Sequence, residues 1–154
     1  MSSYVVREAL DVYGLREAVG KLATELGFQR RERAELLIVV SELCSNIVKY
    51  GVHGSLDFEP HVDPVYGVGI AIVAHDVGPA FRDFKLALRD GYDDQGPIDP
   101  GALMKRGGLG IGLGAVRRLT DSLTVDHGPG GKSIRVVRYL HRPPPRMSSL
   151  PPRR

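Results

Sequence analysis

The chain has 154 residues, of which 42% are hydrophobic and 25% are charged, and its formal net charge is +3. These values are ordinary for a globular protein and fit one domain with a sizeable core. Cys44 is the only cysteine, which excludes an intramolecular disulfide. No stretch approaches the roughly 20 apolar residues of a membrane helix, and the N-terminal sequence lacks the pattern of a signal peptide. We therefore expect a cytoplasmic protein that does not enter a membrane.

The C-terminal stretch HRPPPRMSSLPPRR is rich in arginine and proline. We expect residues 142–154 to form a disordered tail, and residues 1–141 to form a folded domain whose charge is close to neutral. Nucleic-acid binding is not expected, because the chain has no tryptophan and only six tyrosines and four phenylalanines from which to build a base-stacking surface.

Strand and helix patterns alternate along the chain, which favours a layered α/β or α+β fold over a bundle or a sandwich. Runs of apolar and β-branched residues predict strands over 4–9, 55–60, 65–75, 122–127 and 133–140. Apolar residues spaced by three and four predict helices over 13–27, 31–50 and 113–121. Residues 81–106 are a polar region without a clear pattern, in which DGYDDQGPIDPG is loop by composition.

The helix predicted over 31–50 carries two polar residues with a shared direction. Glu42 and Asn46 are four residues apart, so their side chains project from one face of the helix, one turn from each other. A carboxylate and an amide in this arrangement can serve as a proton acceptor and as an oxygen ligand for Mg²⁺. By itself the pair is far more typical of a solvated helix face than of a functional site. Cys44, between them, is expected to be a small core residue and not a nucleophile.

A second polar position follows the strand predicted over 65–75. Asp76 ends this apolar run and is followed by the turn residues of DVGPA. A carboxylate at the end of a strand can accept a hydrogen bond from an exocyclic amine, and Gly78 would let a flat ring lie close to the backbone, which would suit adenine. The alternative is that these residues only form a turn.

The stretch RGGLGIGLGAVRRL, at 106–119, places glycine at every second position before a helix. Its backbone N–H groups and the helix N-terminus form a site for anionic oxygens, most simply phosphate. A Rossmann fingerprint is rejected here because no strand precedes the glycines. GGKS at 130–133 is not a Walker phosphate loop, because its first glycine would be Asp126 and a strand follows it.

Taken in order, ELCSN, DVGPA and GGLGIGLGAVRRL resemble the N, G1 and G2 boxes of the GHKL (Bergerat-fold) ATPases. Within that superfamily the chain is most similar to the small serine kinases that act as anti-sigma factors or as switch proteins of the stressosome. The resemblance covers nearly the whole chain except the tail. It implies an α+β two-layer sandwich, in which helices lie on one face of a mixed β-sheet and ATP binds between the helices and a lid.

The resemblance also implies a role for each motif residue. Glu42 would be the general base for a serine hydroxyl, Asn46 would hold Mg²⁺, and Asp76 with Gly78 would recognise adenine. The triphosphate would be bound by the glycine run and the end of the lid, through Lys105 or Arg106, Gly108, Leu109, Gly110, Ile111, Gly112 and Leu113.

The sequence departs from the family pattern at three places. Ala80 replaces the second glycine of the G1 box, which adds a methyl group and costs stability if the position needs a positive φ. The family has a further conserved box near its penultimate strand, in which a glycine is usually followed by threonine. Here Gly131 is followed by Lys132. Ser133 would replace that threonine if the register were shifted. The lid region is also longer than in the most similar group.

Two functions remain open from the sequence. The first is an ATP-dependent serine/threonine protein kinase that phosphorylates a small, STAS-like antagonist protein and thereby exchanges partners in a stress-response cascade. The second is a nucleotide-responsive binding module, either an anti-sigma factor or a phosphatase activator, with little catalytic activity. The expected ligands are ATP and Mg²⁺, and the expected partners are the antagonist and a sigma factor or a PP2C-type phosphatase.

Overall fold

The computed structural model of the chain describes residues 2–78, 88, 92–93, 96–97 and 112–144. These residues form three helices, α1 (Asp11–Leu26), α2 (Arg30–Tyr50) and α3 (Leu113–Leu119). The strands in chain order are β1 (Ser2–Val6), β2 (Gly54–Asp63), β3 (Gly67–Asp76), β4 (Tyr92–Asp93), β5 (Gly96–Pro97), β6 (Ser122–Gly128) and β7 (Gly131–Tyr139).

The five longer strands form one sheet in the order β1-β2-β3-β7-β6, and β4 pairs with β5 separately. Every pairing between these described strands is antiparallel, whereas the sequence led us to expect a mixed sheet. Two hairpins account for much of this arrangement, because β2 turns back into β3 and β6 turns back into β7. As a result, β3 lies at the centre of the sheet, between β2 and β7.

The helices pack on one face of this sheet, which confirms the two-layer α+β class. Alternate strand residues such as Leu56, Ile72 and Val136 are buried in one cluster with Leu43 of α2 and Val116 of α3. This pattern arises because strand side chains alternate between faces, while helical side chains three or four residues apart share a face. On the opposite face of the sheet, a smaller buried cluster contains Ala71, Val137 and Tyr139.

Local signals explain where α1 and α2 begin and end. Gly27 follows α1 with φ 96°, a left-handed conformation that glycine adopts without strain. At the start of α2, the Gln29 side chain and Glu32 form a capping box with the backbone. No helix in the described ranges is both long enough and apolar enough to cross a membrane.

A buried arginine connects the sheet to two helices. Arg138 of β7 donates from Nη1 to Glu35 Oε2 of α2 and to the carbonyl oxygen of Leu119 at the end of α3, at 2.8 Å in both cases. The Arg138 side chain is 4% exposed and that of Glu35 is 20% exposed. Since an unpaired charge is costly in such a position, the pair helps to hold both helices on the sheet.

The element boundaries differ from the sequence prediction at two turns. The first strand is Ser2–Val6, not 4–9, because the Asp11 carboxylate accepts the backbone N–H groups of Arg7 and Glu8 in a turn that leads into α1. The sequence predicts that a strand begins at Val65, yet Asp63 Oδ1 accepts the N–H groups of Val65 and Tyr66, so these residues form the β2–β3 turn. An aspartate that binds nearby backbone N–H groups favours a turn over a continued strand.

Candidate functional site

The first part of the candidate site lies on α2. Glu42 is buried, with 3% of its surface exposed, and Asn46 is half-buried one turn further along. The burial of Glu42 argues against the solvated-face interpretation of this pair. α2 packs against β3 and α3, and the Glu42 side chain is enclosed within the fold.

Asp76 is the second part of the site. It is the last residue of β3 and is 3% exposed. Its Oδ1 accepts the backbone N–H of Gly78 at 2.8 Å and the ammonium of Lys132 at 3.0 Å. The Gly78 contact is an Asx-type turn, which fixes the direction of the carboxylate. Asp76 and Gly78 therefore lie together in a turn, and the carboxylate also has a charged partner. Adenine recognition by these two residues stays a prediction.

Two glycines allow the chain to pack tightly around Asp76. A Cβ atom at Gly131 would lie 2.1 Å from the carbonyl oxygen of Asp76, and one at Gly51 would lie 3.1 Å from the Asp76 Cβ. Gly51 follows α2 directly. The end of α2 therefore meets the end of β3, and the Val77 N–H completes this junction by donating to the carbonyl oxygen of Val52 at 2.8 Å.

Lys132 is the functional candidate that sequence reasoning missed. It lies opposite Asp76 in the β3–β7 register, and each of the two side chains is 5% exposed. In the sequence, Lys132 stands only as a departure from a family pattern. The available signal was weak, because Lys132 is one of three basic residues in this strand, with Arg135 and Arg138. A buried lysine needs a carboxylate partner, but the sequence alone does not show which basic residue is buried.

The register corrects the expectation for Ser133. Lys132 contacts Asp76, and successive side chains of a strand point to opposite faces, so Ser133 lies on the other face of the sheet. There it pairs in register with His75 and Asp126. The shifted register in which Ser133 replaces the family threonine is not found. In the observed register Lys132, and not Ser133, lies opposite Asp76.

The glycine run is described only at its end. Gly112 has φ 68° and ψ −149°, a backbone conformation that favours glycine, and α3 begins directly after it. Leu113 is 3% exposed and belongs to the main core. The other residues predicted to contact the triphosphate lie outside the described residues, as does Ala80: Lys105, Arg106, Gly108, Leu109, Gly110 and Ile111.

The described ranges contain no group of three or more histidine, cysteine, aspartate or glutamate side chains that could hold a metal ion. Magnesium does not require such a group, because it usually keeps several waters and takes one or two protein ligands together with phosphate oxygens. The half-buried amide of Asn46 fits this type of shared site, which stays a prediction.

Cys44, between the two polar residues of α2, is buried within the core as expected. Burial, and to a lesser extent the charge of Asp11, raises the pKa of its thiol to about 12 from 9.0. At pH 8 this shift reduces the thiolate fraction by about three orders of magnitude. We therefore predict that a disulfide dye at pH 8 labels the native protein at least about 100-fold more slowly than the protein in denaturant. Equal labelling rates would contradict the burial of this thiol.

One protein family and several named protein kinases match nearly the whole folded region. Residues 6–138 match the family described as the histidine kinase-like ATPase domain. The chain is 30% identical over 131 residues to the serine/threonine-protein kinase RsbT of Bacillus subtilis strain 168, which covers 84% of this chain and 90% of that protein. It is 26% identical over 129 residues to the serine-protein kinase RsbW of Bacillus cereus strain G9842, with 83% and 77% covered.

The fold also has a solved counterpart. The crystal structure of the RsbU and RsbW domains of Rv1364c from Mycobacterium tuberculosis aligns with 96% of this chain at a TM-score of 0.50 and 14% sequence identity. The aligned part is 35% of that longer chain. Because the sequence identity is low, the likeness concerns the fold alone. Since the family match extends from β1 to β7 and so includes α2, β3 and α3, the chain belongs to the histidine kinase-like ATPase domain family, as the three GHKL-like boxes implied.

Proposed function

We propose that this protein is an ATP-dependent serine/threonine protein kinase of the anti-sigma or switch type. The observation that supports it most is the burial of two carboxylates, Glu42 on α2 and Asp76 on the neighbouring strand β3, in a chain whose relatives are named as serine kinases. The proposed substrate is a small STAS-like antagonist protein with a phosphorylatable serine. A sigma factor or a PP2C-type phosphatase is the second proposed partner.

In this proposal each residue has a limited task. Glu42 accepts the proton of the serine hydroxyl as the hydroxyl oxygen attacks the terminal phosphorus and the nucleoside diphosphate leaves. Asp76 accepts a hydrogen bond from the adenine amine. Asn46 would supply an oxygen ligand to Mg²⁺, which when bound neutralises phosphate charge. Phosphoryl transfer depends mainly on positioning and charge, so one base and a few polar groups are sufficient.

The remaining contacts to ATP are assigned in this proposal to the segment that precedes α3. The helix α3, which begins at Leu113 after Gly112, packs against α2. The backbone ahead of it is proposed to bind the triphosphate through Gly108, Leu109, Gly110 and Ile111. Lys105 or Arg106 would neutralise the negative charge of the triphosphate.

A phosphate-transfer assay tests this proposal. The full chain is incubated with radiolabelled ATP, Mg²⁺ and a STAS-like antagonist protein, and label on the antagonist is measured. We expect Glu42→Gln to lower the rate by about 100-fold or more, because loss of a general base typically costs 10²–10⁴-fold. Glu25→Gln, a change at an exposed position on α1, is the matched control and should be neutral.

Two results would contradict the kinase assignment. One is transfer at the same rate by wild type and Glu42→Gln. The other is capture of the partner by both proteins without any transfer of label, which would instead identify a nucleotide-responsive binding module.

A further inference from the structure

We propose that a cavity at one end of the sheet is a docking site for an extended acidic segment of a partner protein. This cavity, named the α3–β6 corner, is lined by residues 63, 66, 117–118, 120–124, 139 and 142–144. It lies away from the proposed nucleotide site, because Tyr139 is seven residues further along β7 than Lys132, or about 23 Å of strand. The inference therefore goes beyond the proposed function and does not depend on it.

The size and lining of the α3–β6 corner suit a peptide. Its volume is about 910 Å³, which lies within the range of small-ligand sites, about 300–1,000 Å³. The rings of Tyr66 and Tyr139, with centroids 5.3 Å apart, form part of its wall, and Pro143 and Pro144 form another part. Apolar and aromatic walls of this kind pack against the side chains of a bound peptide.

The segment that follows β7 is fixed in place at the corner. Arg142 Nε donates to Asp121 Oδ1 at 2.8 Å. Its Nη2 donates to the carbonyl oxygens of Arg118 and Thr120, at 3.0 and 3.1 Å. The wall that this segment forms is therefore present before a partner binds, which lowers the entropy cost of docking.

The charges of the corner favour an acidic ligand on the α3 side. Asp121 is neutralised by Arg142, and its Oδ2 accepts the Tyr139 N–H at 2.8 Å. Arg117 and Arg118, both exposed on the last turn of α3, add two further positive charges. A ligand that carries carboxylates is therefore attracted to the α3 side of the corner.

An open strand edge runs along the corner. Among the described strands, β6 is at the edge of the sheet and pairs only with β7. Its first three residues, Ser122, Leu123 and Thr124, all line the corner. The N–H and C=O groups of an edge strand can pair with the backbone of an extended segment, which would enlarge the sheet by one strand. The expected ligand is therefore extended as well as acidic.

A nucleic acid fits the corner less well than an acidic protein segment does. Asp63, the second carboxylate of the lining, lies at the end of β2, where its Oδ1 accepts the N–H groups of Val65 and Tyr66. An evenly spaced row of phosphates that reached from α3 across the corner would meet this negative charge. A protein segment can instead place its acidic residues beside Arg117 and an apolar residue beside Tyr66.

Fluorescence anisotropy with the full chain tests the inference. The probe is a short fluorescein-labelled peptide of alternating glutamate and valine, titrated at low ionic strength with and without saturating ADP and Mg²⁺. We expect the wild type to bind this peptide equally in both conditions, and not to bind the corresponding lysine–valine peptide. Arg117→Glu should weaken binding about tenfold, because it replaces an attraction with a repulsion.

Two variants serve as controls. Arg16→Glu makes the same change of charge at an exposed position of α1, outside the corner, and should weaken binding by less than about twofold. Arg117→Gln removes the charge without reversing it and should weaken binding by an intermediate factor. Circular dichroism verifies that each variant is folded.

Four results would overturn the inference: absence of binding by the wild type, equal weakening by Arg117→Glu and Arg16→Glu, displacement of the peptide by ADP, and equally tight, Arg117-dependent binding of a single-stranded RNA of the same length. Equal weakening would show attraction by net charge alone, and displacement would place the peptide in the nucleotide site. If the peptide binds through Arg117 while ADP does not bind, the proposed function fails and this inference stands.

Discussion

Replacement of Arg138 by methionine is expected to lower the free energy of unfolding by about 3 kcal/mol. The change leaves Glu35 of α2 without its β7 partner and removes the hydrogen bond to the carbonyl oxygen of Leu119. Glu35 Oε2 and the carbonyl oxygen at the end of α3 would each lose this donor, while the exposed Arg31 would still pair with Glu35 Oε1 at 3.4 Å. Each loss is costly because little water reaches these oxygens. Chemical denaturation followed by circular dichroism measures this effect.

Two further variants show whether the effect belongs to the buried pair. Arg135→Met makes the same chemical change on β7, but on the opposite face of the sheet, and should alter stability by less than about 1 kcal/mol. Glu35→Leu combined with Arg138→Met removes both charges and should recover part of the loss, since the pair is then replaced by apolar contacts. A single Arg138→Met variant as stable as the wild type would contradict this role of Arg138.

The second large effect is expected at Gly131. Gly131→Ala should lower the free energy of unfolding by about 3 kcal/mol, for two reasons. The residue has φ 119°, a conformation that alanine adopts only with strain. The Cβ of an alanine at this position would also lie 2.1 Å from the Asp76 carbonyl oxygen and 2.7 Å from the Val77 Cα. The strands β3 and β7 must therefore separate beside Asp76, the residue proposed to bind adenine. We therefore expect nucleotide affinity to fall with stability.

Two other glycines of the sheet separate these two causes. Gly67 has φ 81° but open space around a Cβ, so Gly67→Ala should cost only about 1 kcal/mol, from backbone strain. Gly128 faces Gly131 in the β6–β7 register, with nothing within 4 Å of a Cβ, and Gly128→Ala should be close to neutral. A Gly131→Ala variant that behaves like Gly67→Ala would show that the close approach to Asp76 has little energetic weight.

Arg138 and Gly131 support different parts of one candidate site. Arg138 holds α2 and α3 on the sheet, and so maintains the position of the helix that carries Glu42 and Asn46. Gly131 holds β7 against the end of β3, and so maintains Asp76 beside Lys132. Because the proposed chemistry depends on positioning, damage to either support should lower activity even where the catalytic side chains are intact.

The sequence by itself determined the three helices, the five longer strands and their order, but not the short strands β4 and β5, which lie within the stretch predicted as loop. Apolar spacing located both long helices, and the end of an apolar run located Asp76 at the end of a strand, because these periodicities depend only on neighbouring residues. The three short motifs identified the superfamily for the same reason. Their residues are close in the chain, and the expected roles of Glu42, Asn46 and Asp76 remain predictions.

Only the tertiary structure decided which distant residues meet. The Asp76–Lys132 pair joins residues 56 positions apart, and the Glu35–Arg138 pair joins residues 103 positions apart. Both pairs depend on strand register, and a shift of one residue would turn Lys132 away from Asp76 and bring Ser133 toward it. That register is set by the packing of the whole sheet against its helices and by the close fit at Gly131, and no local pattern of residues specifies it.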